Sequence, residues 1–286
     1  MEAINLTRFW DGGVESGRIV EMANYSPTRG QERMTLVGDG FTNRASGWFP
    51  ADGTVQRLVY ESDRDGFMLD GLNTPVVDFL IDWDDVDAAA SLRQRLLAGA
   101  DEIYGQAFAD RLRGYSGDDQ IFGMNGDDDL HGNQGDDTVA GGFGQDWVVG
   151  GQGDDRLLGN EGDDLILGNL GADTADGGDG ADLIRGGQGD DVLRGGGGAD
   201  WLSGDRGDDT LTGGAGADTF HTFAGAGLDR VTDFSAEQGD RVLVTGGGSY
   251  AAAQVGADTV VTLDGARLVL AGVSLAGLPT GWIVVG

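Results

Sequence analysis

Aspartate recurs at a fixed nine-residue interval through the middle of the chain. From Gly114 to His221 the sequence divides into twelve consecutive nonamers without an insertion, and the sixth position of every nonamer is Asp. Carboxylates held at regular spacing can bind cations once the backbone brings neighbouring repeats together. Cation binding is therefore the leading hypothesis for this segment.

The overall charge supports that hypothesis. The chain has 49 acidic and 18 basic residues and a net charge of −31, which argues against nucleic acid or anionic lipid as a partner and in favour of bound cations. No run approaches the roughly 18 apolar residues that a membrane helix requires, so membrane insertion is not expected. All basic residues are Arg, and the absence of Cys excludes disulfides and thiolate metal sites. The stability of the folded chain must therefore come from interactions other than disulfides and thiolate metal sites.

Other columns of the nonamer predict how the carboxylates are positioned. Columns one and four are always Gly, column eight is always apolar, and column two is Gly, Asn or Asp in ten of twelve repeats. Residue types that tolerate positive φ predict a tight turn in the first half. Columns seven to nine then predict a three-residue strand whose middle residue points into a core. A disordered acidic tract is the alternative, but disorder requires no apolar residue at every ninth position.

Two nonamers make one coil in this interpretation. Strands 18 residues apart stack in parallel at about 4.8 Å, and two such sheets face each other across a thin apolar seam. The segment 114–221 has 24 acidic residues against four Arg, so burial of the seam alone is not expected to hold the loops closed.

The nonamer resembles the signature GGxGxDxUx, with U aliphatic, of the repeats-in-toxin (RTX) family of hemolysin-type calcium-binding proteins. The resemblance implies an all-β fold, a parallel β-roll in which Ca²⁺ lies between loops stacked on the same edge. Main-chain carbonyls and the column-six Asp would be the ligands, and about ten ions are implied. Ca²⁺ accepts six to eight oxygen ligands, and metal binding would then supply the folding energy.

The ligands implied by the resemblance form two sets. The column-six carboxylates are Asp119, Asp128, Asp137, Asp146, Asp155, Asp164, Asp173, Asp182, Asp191, Asp200, Asp209 and Asp218. The column-four carbonyls belong to Gly117, Gly126, Gly135, Gly144, Gly153, Gly162, Gly171, Gly180, Gly189, Gly198, Gly207 and Gly216. Column-five acids such as Asp118, Asp127 and Asp136 are replaced by Ala or Gln in five repeats, and we expect them to form a solvated fringe.

The repeat loses its glycines at both ends. Residues 96–104 and 105–113 keep Asp101 and Asp110 at column six, and we expect these to be weaker members of the metal set. Downstream, 229–244 resembles the segment that closes RTX rolls, and Asp229, Asp233 and Asp240 are candidates to complete terminal sites.

The flanking regions divide the chain further. Alternating apolar and polar runs predict an antiparallel β-rich domain over 1–83, and residues 84–98 predict a short helix that either caps the roll or serves as a linker. The roll follows over 99–221. Residues 222–286 predict a β cap, with a hairpin around Asp264 and Gly265, and the type I secretion signal region that the resemblance implies. No positive n-region or apolar h-region stands at the N-terminus, which fits that route to the outside of the cell.

A histidine-based active site is not expected. The two histidines, His131 and His221, both fall at column nine of a repeat, so the N-terminal region has no HExxH motif and no Ser-His-Asp set. Paired carboxylates for glycoside chemistry stay open because acids are plentiful there.

The outward columns of the even-numbered repeats predict an interaction surface. Large apolar residues recur every 18 positions in column seven, with two more beside them in column nine: Trp147, Leu165, Leu183 and Trp201, with Val149 and Leu167. An apolar stripe of about 14 Å on a sheet surface is typical of an interface. Its occupant is this chain's own terminal β region, a second copy, or a foreign surface.

Together these patterns predict a secreted, non-enzymatic calcium-binding protein at the cell surface, structural or adhesive and able to assemble into a homo-oligomer or filament. A module that binds a surface glycan, resembling those attached to polysaccharide-modifying enzymes, is the alternative, and a small carboxylate-based hydrolase is third.

Overall fold

The structure, a computed structural model, describes 18–26, 30–43, 50–62 and 66–75 as strand backbone, and 99–286 apart from residues 106, 247 and 248. The prediction of a helix over 84–98 lies outside these residues. Strand is the main secondary structure of the described residues, and the one helical turn among them is a 3-10 turn at Leu275–Gly277. The all-β prediction is confirmed.

Each nonamer of the roll contributes one strand. The strands are β5 Glu102–Tyr104, β6 Arg111–Ser116, β7 Gln120–Asn125, β8 Asp129–Gln134, β9 Thr138–Phe143, β10 Trp147–Gln152, β11 Arg156–Glu161, β12 Leu165–Leu170, β13 Thr174–Asp179, β14 Leu183–Gln188, β15 Val192–Gly197, β16 Trp201–Arg206, β17 Thr210–Ala215 and β18 Thr219–Phe223. Most have six residues, so the expected length of three was wrong. Each strand continues through columns one to three of the next nonamer because those residues also pair with the neighbouring coils.

The turn is correspondingly shorter than predicted and occupies columns four to six. Column two lies inside the strand, yet its φ is positive in all twelve repeats, including Tyr115 at 72° and Met124 at 81°. The prevalence of Gly and Asn in this column follows from that conformation, which is strained for other side chains. The predicted need for positive φ at column two was correct, although its place in the secondary structure was not.

Strands 18 residues apart pair in parallel and form two sheets. β5 and the odd-numbered strands to β17 form one, and β6 to β18 form the other, hereafter the even sheet. The register is constant, with Trp147 opposite Leu165 and Leu165 opposite Leu183. Parallel pairing follows from the equal length of the coils, since each coil returns the chain in the same direction.

Column eight forms the seam between the two sheets, as predicted. All twelve residues are at most 2 % exposed: Ile121, Leu130, Val139, Val148, Leu157, Ile166, Ala175, Ile184, Leu193, Leu202, Leu211 and Phe220. One medium-sized apolar side chain per nine residues is a small core for this length of chain. Burial of the seam selects the register, and the loops depend on other interactions.

Strands from both flanks extend the two sheets. β1 Arg18–Ser26, β2 Gly30–Asn43, β3 Pro50–Ser62 and β4 Gly66–Pro75 form an antiparallel meander that contains the predicted N-terminal strand segments, and β4 pairs with β5. The C-terminal strands are β19 Leu228–Val231, β20 Arg241–Thr245, β21 Ala251–Val255, β22 Asp258–Leu263, β23 Ala266–Leu270 and β24 Ile283–Val285. β22 and β23 form the predicted hairpin around Asp264 and Gly265, and β24 extends the even sheet beside β20.

Candidate metal centre

The column-six aspartates line the two turn edges of the roll. Each follows the turn glycine by two residues and immediately precedes a strand, so strand pairing fixes its backbone. All twelve are at most 3 % exposed. Their Oδ1 atoms accept a hydrogen bond from the backbone N–H of the column-six residue one coil earlier, for example from Asp146 N to Asp164 Oδ1 at 2.8 Å. Half of each carboxylate is therefore satisfied by the neighbouring coil.

The other carboxylate oxygen is left without a partner. Thirteen buried Oδ2 atoms accept no hydrogen bond among the described residues; they belong to the twelve column-six aspartates and to Asp101. A buried carboxylate oxygen without a partner costs several kcal/mol, about as much as a lost charge-assisted hydrogen bond or more. A full column of such atoms is tolerated only if a proton or a cation occupies the space beside each one.

Burial and mutual repulsion raise the pKa values of these carboxyls. Desolvation is the larger cause, and neighbouring carboxylates one coil away add to it, so the pKa of Asp155, Asp164 and Asp200 rises to about 7 and that of Asp191 to about 8. At neutral pH these groups are close to titration when no cation is bound. A cation would remove the desolvation penalty and hold them ionised.

Main-chain carbonyls point into the same gaps. A methyl group built on Gly159 would clash with Asp164 Oδ2 and would lie 2.5 Å from the carbonyl oxygen of Gly177, one coil later. A methyl group on Gly180 would clash with the carbonyl oxygen of Gly162. The gap between these two loops is thus bordered by the Asp164 carboxylate and by carbonyls from columns one and four. The column-four carbonyls belong to the predicted set of ligands, whereas the column-one carbonyls were not part of that prediction.

This donor set suits Ca²⁺. No three acidic or histidine side chains of the described residues converge on one point, so a cation in a gap must take part of its coordination from the main chain. Ca²⁺ accepts mixed carboxylate and carbonyl oxygen in flexible geometry, whereas Mg²⁺ demands a near-ideal octahedron. Only glycine at columns one and four leaves the gap open for an ion. The fit therefore depends on both columns.

Column five has a structural role that its composition hid. These aspartates are exposed, as expected, but their Oδ1 atoms accept hydrogen bonds from the backbone of the next coil, for example from Ala181 N to Asp163 Oδ1 at 2.8 Å. Column six reaches one coil back and column five one coil forward. The available signal was that every acid in column five is Asp and none is Glu.

The end sites differ from one another. Asp101 and Asp110 are buried in the column-six register and bond to Asp119 and Asp128 through their backbone N–H groups. Asp229 and Asp240 continue the two columns beyond Asp209 and Asp218, and Asp240 Oδ2 accepts a hydrogen bond from Ser235 N. Asp233 is exposed, and its two carboxylate oxygens accept hydrogen bonds from Gly213 N and Gly214 N.

The predicted apolar stripe lies on the outer face of the even sheet. Trp147 and Leu183 are 45 % and 40 % exposed, and Leu165, Leu167 and Trp201 are partly buried. Val149 is buried, unlike its expected exposure, because it lies between His131 and Leu167 on the flanking strands. The stripe is continuous across four adjacent strands.

Comparisons with known proteins agree with this geometry. The family model for the RTX calcium-binding nonapeptide repeat matches six overlapping segments between residues 97 and 231. Among solved structures, the extracellular lipase LipA from Serratia marcescens is 19 % identical over 62 % of this chain and 40 % of its own, with a TM-score of 0.29. The AlgE6R3 subunit of the Azotobacter vinelandii mannuronan C5-epimerase is 29 % identical over 46 % of this chain and 78 % of its own, with a TM-score of 0.27. No curated protein matches.

This chain spans two fifths of the length of the lipase. The assignment depends on the family match together with the roll, its two glycine columns and its rows of buried carboxylates. Residues 97–231 match the RTX calcium-binding nonapeptide repeat, and this stretch of the chain is built of such repeats.

Proposed function

We propose that this protein is exported unfolded and folds outside the cell when Ca²⁺ fills the gaps between its loops. The observation that carries the proposal is the row of thirteen buried carboxylate oxygens without hydrogen-bond partners. In a metal-free chain at neutral pH, these groups repel one another and the seam is too thin to compensate. Binding of about ten ions between column-six carboxylates and loop carbonyls would convert that repulsion into cross-links.

The calcium affinity expected of such sites would make folding depend on whether the chain is inside or outside the cell. Extracellular calcium modules bind at roughly 10⁻⁴ to 10⁻³ M, far above cytosolic calcium. A chain with sites in this range stays open during export by a type I route and closes at millimolar calcium. The described part of the chain contains no helix that is long and apolar enough to cross a membrane.

The role proposed for the folded protein is structural or adhesive at the cell surface, with self-association. Three observations support it. The repeats themselves are a calcium-binding module, and both histidines of the chain are engaged in side-chain hydrogen bonds, His131 with Asp129 and His221 with Ser203 and Thr245. The exposed stripe around Trp147 offers a contact surface. The same aromatic surface is the observation that favours the alternative, a monomeric module that binds a surface glycan.

Circular dichroism and small-angle X-ray scattering of the full chain test the folding step. In excess chelator we expect an expanded chain without ordered strands, and in millimolar Ca²⁺ a compact, strand-rich particle; millimolar Mg²⁺ should not substitute. Equal strand content in chelator and in calcium would contradict the proposal. Export by cells carrying a type I system, compared with cells lacking its channel, tests the route independently.

A further inference from the structure

The outer face of the even sheet carries a nearly palindromic row of side chains. Column seven places one residue on each of eight adjacent strands, β6 to β20, and these are Arg111, Asp129, Trp147, Leu165, Leu183, Trp201, Thr219 and Arg241. Apart from Asp129 and Thr219, the row has the same residue types in either direction. Its midpoint falls between β12 and β14.

Column nine repeats the symmetry in its aromatic contacts. His131, one strand outside Trp147, lies with its ring 5.7 Å from the indole, and His221, one strand outside Trp201, stacks on that indole at 5.0 Å. Each tryptophan is therefore supported from its outer side by a histidine. The two leucines between them form the centre of the face.

We propose that a second copy of this chain occupies the face through a twofold axis that runs parallel to the strands between β12 and β14. A twofold interface brings one patch against itself, so residue i meets j and j meets i. In this register Trp147 faces the partner's Trp201, and Leu165 faces the partner's Leu183. The palindrome in column seven suits such an interface, because it places similar apolar side chains opposite one another in both symmetry-related contacts.

The charges of the face are compatible with its burial. The whole chain is strongly acidic, but the acids of the roll over 114–221 lie mainly in columns five and six, on its turn edges. The two acids of this face are already paired within the chain, Asp129 with Arg113 at 3.0 Å and Asp205 with Arg185 at 2.7 Å. No unpaired carboxylate would be buried. In the proposed register Asp129 also lies one strand from the partner's Arg241, at the rim.

The size of the face is also adequate. Eight strands at about 4.8 Å spacing and six residues of about 3.3 Å each give a projected area of about 760 Å². Stable interfaces bury roughly 800 Å² per partner, and tryptophans near the centre commonly dominate their energy. Contact between two apolar stripes would remove the exposed fractions of Trp147 and Leu183 from water.

The inference rests on the proposed calcium-dependent folding, since the face exists only when the coils are stacked. A charge-pairing experiment separates the two. Leu165→Glu and Leu183→Arg are prepared in the full chain, and each variant is studied alone and in an equimolar mixture by sedimentation velocity in millimolar Ca²⁺. Val192→Arg, at a 50 % exposed position on the opposite sheet, is the matched control.

We expect the wild type and the control variant to dimerise. Each stripe variant alone should dimerise at least about 100-fold more weakly, because its new charge meets a leucine of the partner twice. The mixture should recover dimers, because the carboxylate at position 165 then faces the guanidinium at position 183 across the axis. Circular dichroism in calcium monitors the folding of every variant.

Several results would overturn the inference. A wild type that is monomeric at tens of micromolar means that a segment of the chain itself or a foreign partner covers the face. Dimers in both single variants place the contact elsewhere, and a mixture without recovery excludes this register. In each case, variants that still acquire strands with calcium leave the proposed folding intact, whereas loss of that transition in the wild type would remove both proposals.

Discussion

Asparagine at column six should change calcium-dependent and calcium-free stability in opposite directions. In Asp164→Asn the amide oxygen can still accept the hydrogen bond from Asp146 N, so the variant changes mainly the Oδ2 atom that has no partner. The adjacent Asp163→Asn is the matched control, because Asp163 is exposed and its Oδ1 also bonds to a backbone N–H.

The magnitude follows from the affinity of one site. At 10 mM Ca²⁺, a site with a Kd of roughly 10⁻⁴ to 10⁻³ M contributes about 1.4 to 2.7 kcal/mol to folding. Asp164→Asn should lower the free energy of unfolding by about that amount and reduce the bound calcium by one ion. Asp163→Asn should change the stability by less than about 0.5 kcal/mol, as is usual for exposed positions.

Without calcium the sign reverses. Burial raises the pKa of Asp164 to about 7, which means that its charge opposes the metal-free fold at neutral pH. Removing that charge should therefore raise the pH at which strands are lost in chelator. The assays are urea unfolding followed by circular dichroism over a calcium series, and equilibrium dialysis with metal counting. Identical stability and ion counts for the two variants would refute the assignment of column six as the ligand.

Three further predictions follow from the same geometry. Gly159→Ala should weaken calcium binding, measured by titration calorimetry, because its methyl group would clash with Asp164 Oδ2. The control is Gly197→Ala, whose methyl group would have Asp179 Oδ1 as its nearest neighbour at 3.4 Å and which should bind calcium normally. Equal calcium affinities of the two variants would contradict the gap geometry. Ile166→Ala, at a fully buried seam position, should lower the free energy of unfolding in the presence of calcium by about 2 to 5 kcal/mol without changing the number of bound ions. A changed number of bound ions would show that packing of the seam and calcium binding by the loops are coupled. In chelator, the fold should lose stability as pH rises from about 4 to about 7, because the folded aspartates, with pKa values raised from 3.8, bind more protons than the unfolded chain over that range; strand content by circular dichroism that instead rises with pH would contradict it.

Periodicity was sufficient to predict the repeat fold. An apolar residue at every ninth position specifies the seam, and a coil of two equal nonamers permits only parallel pairing at a separation of 18. The column-six carboxylates were also predictable, since Asp is present in all twelve repeats. These features depend on local spacing, which the chain carries in its order of residues.

Other features depended on which atoms meet across coils. The sequence did not show that strands continue through columns one to three, because that extension depends on ladder pairing with the coils above and below. Nor did it show that column-one carbonyls border the gaps or that Asp163 bonds to the following coil, since both contacts join residues about 18 positions apart.

The amino-acid sequence by itself thus determined the period, the seam and the identity of the acidic column, because each is repeated locally in every nonamer. Only the tertiary structure decided that one oxygen of each column-six Asp is satisfied and the other is not, and that Trp147, Leu165, Leu183 and Trp201 form one surface with a midpoint. The physical reason is that hydrogen bonds and surfaces between coils exist only after stacking fixes the distance and direction between residues remote in the chain.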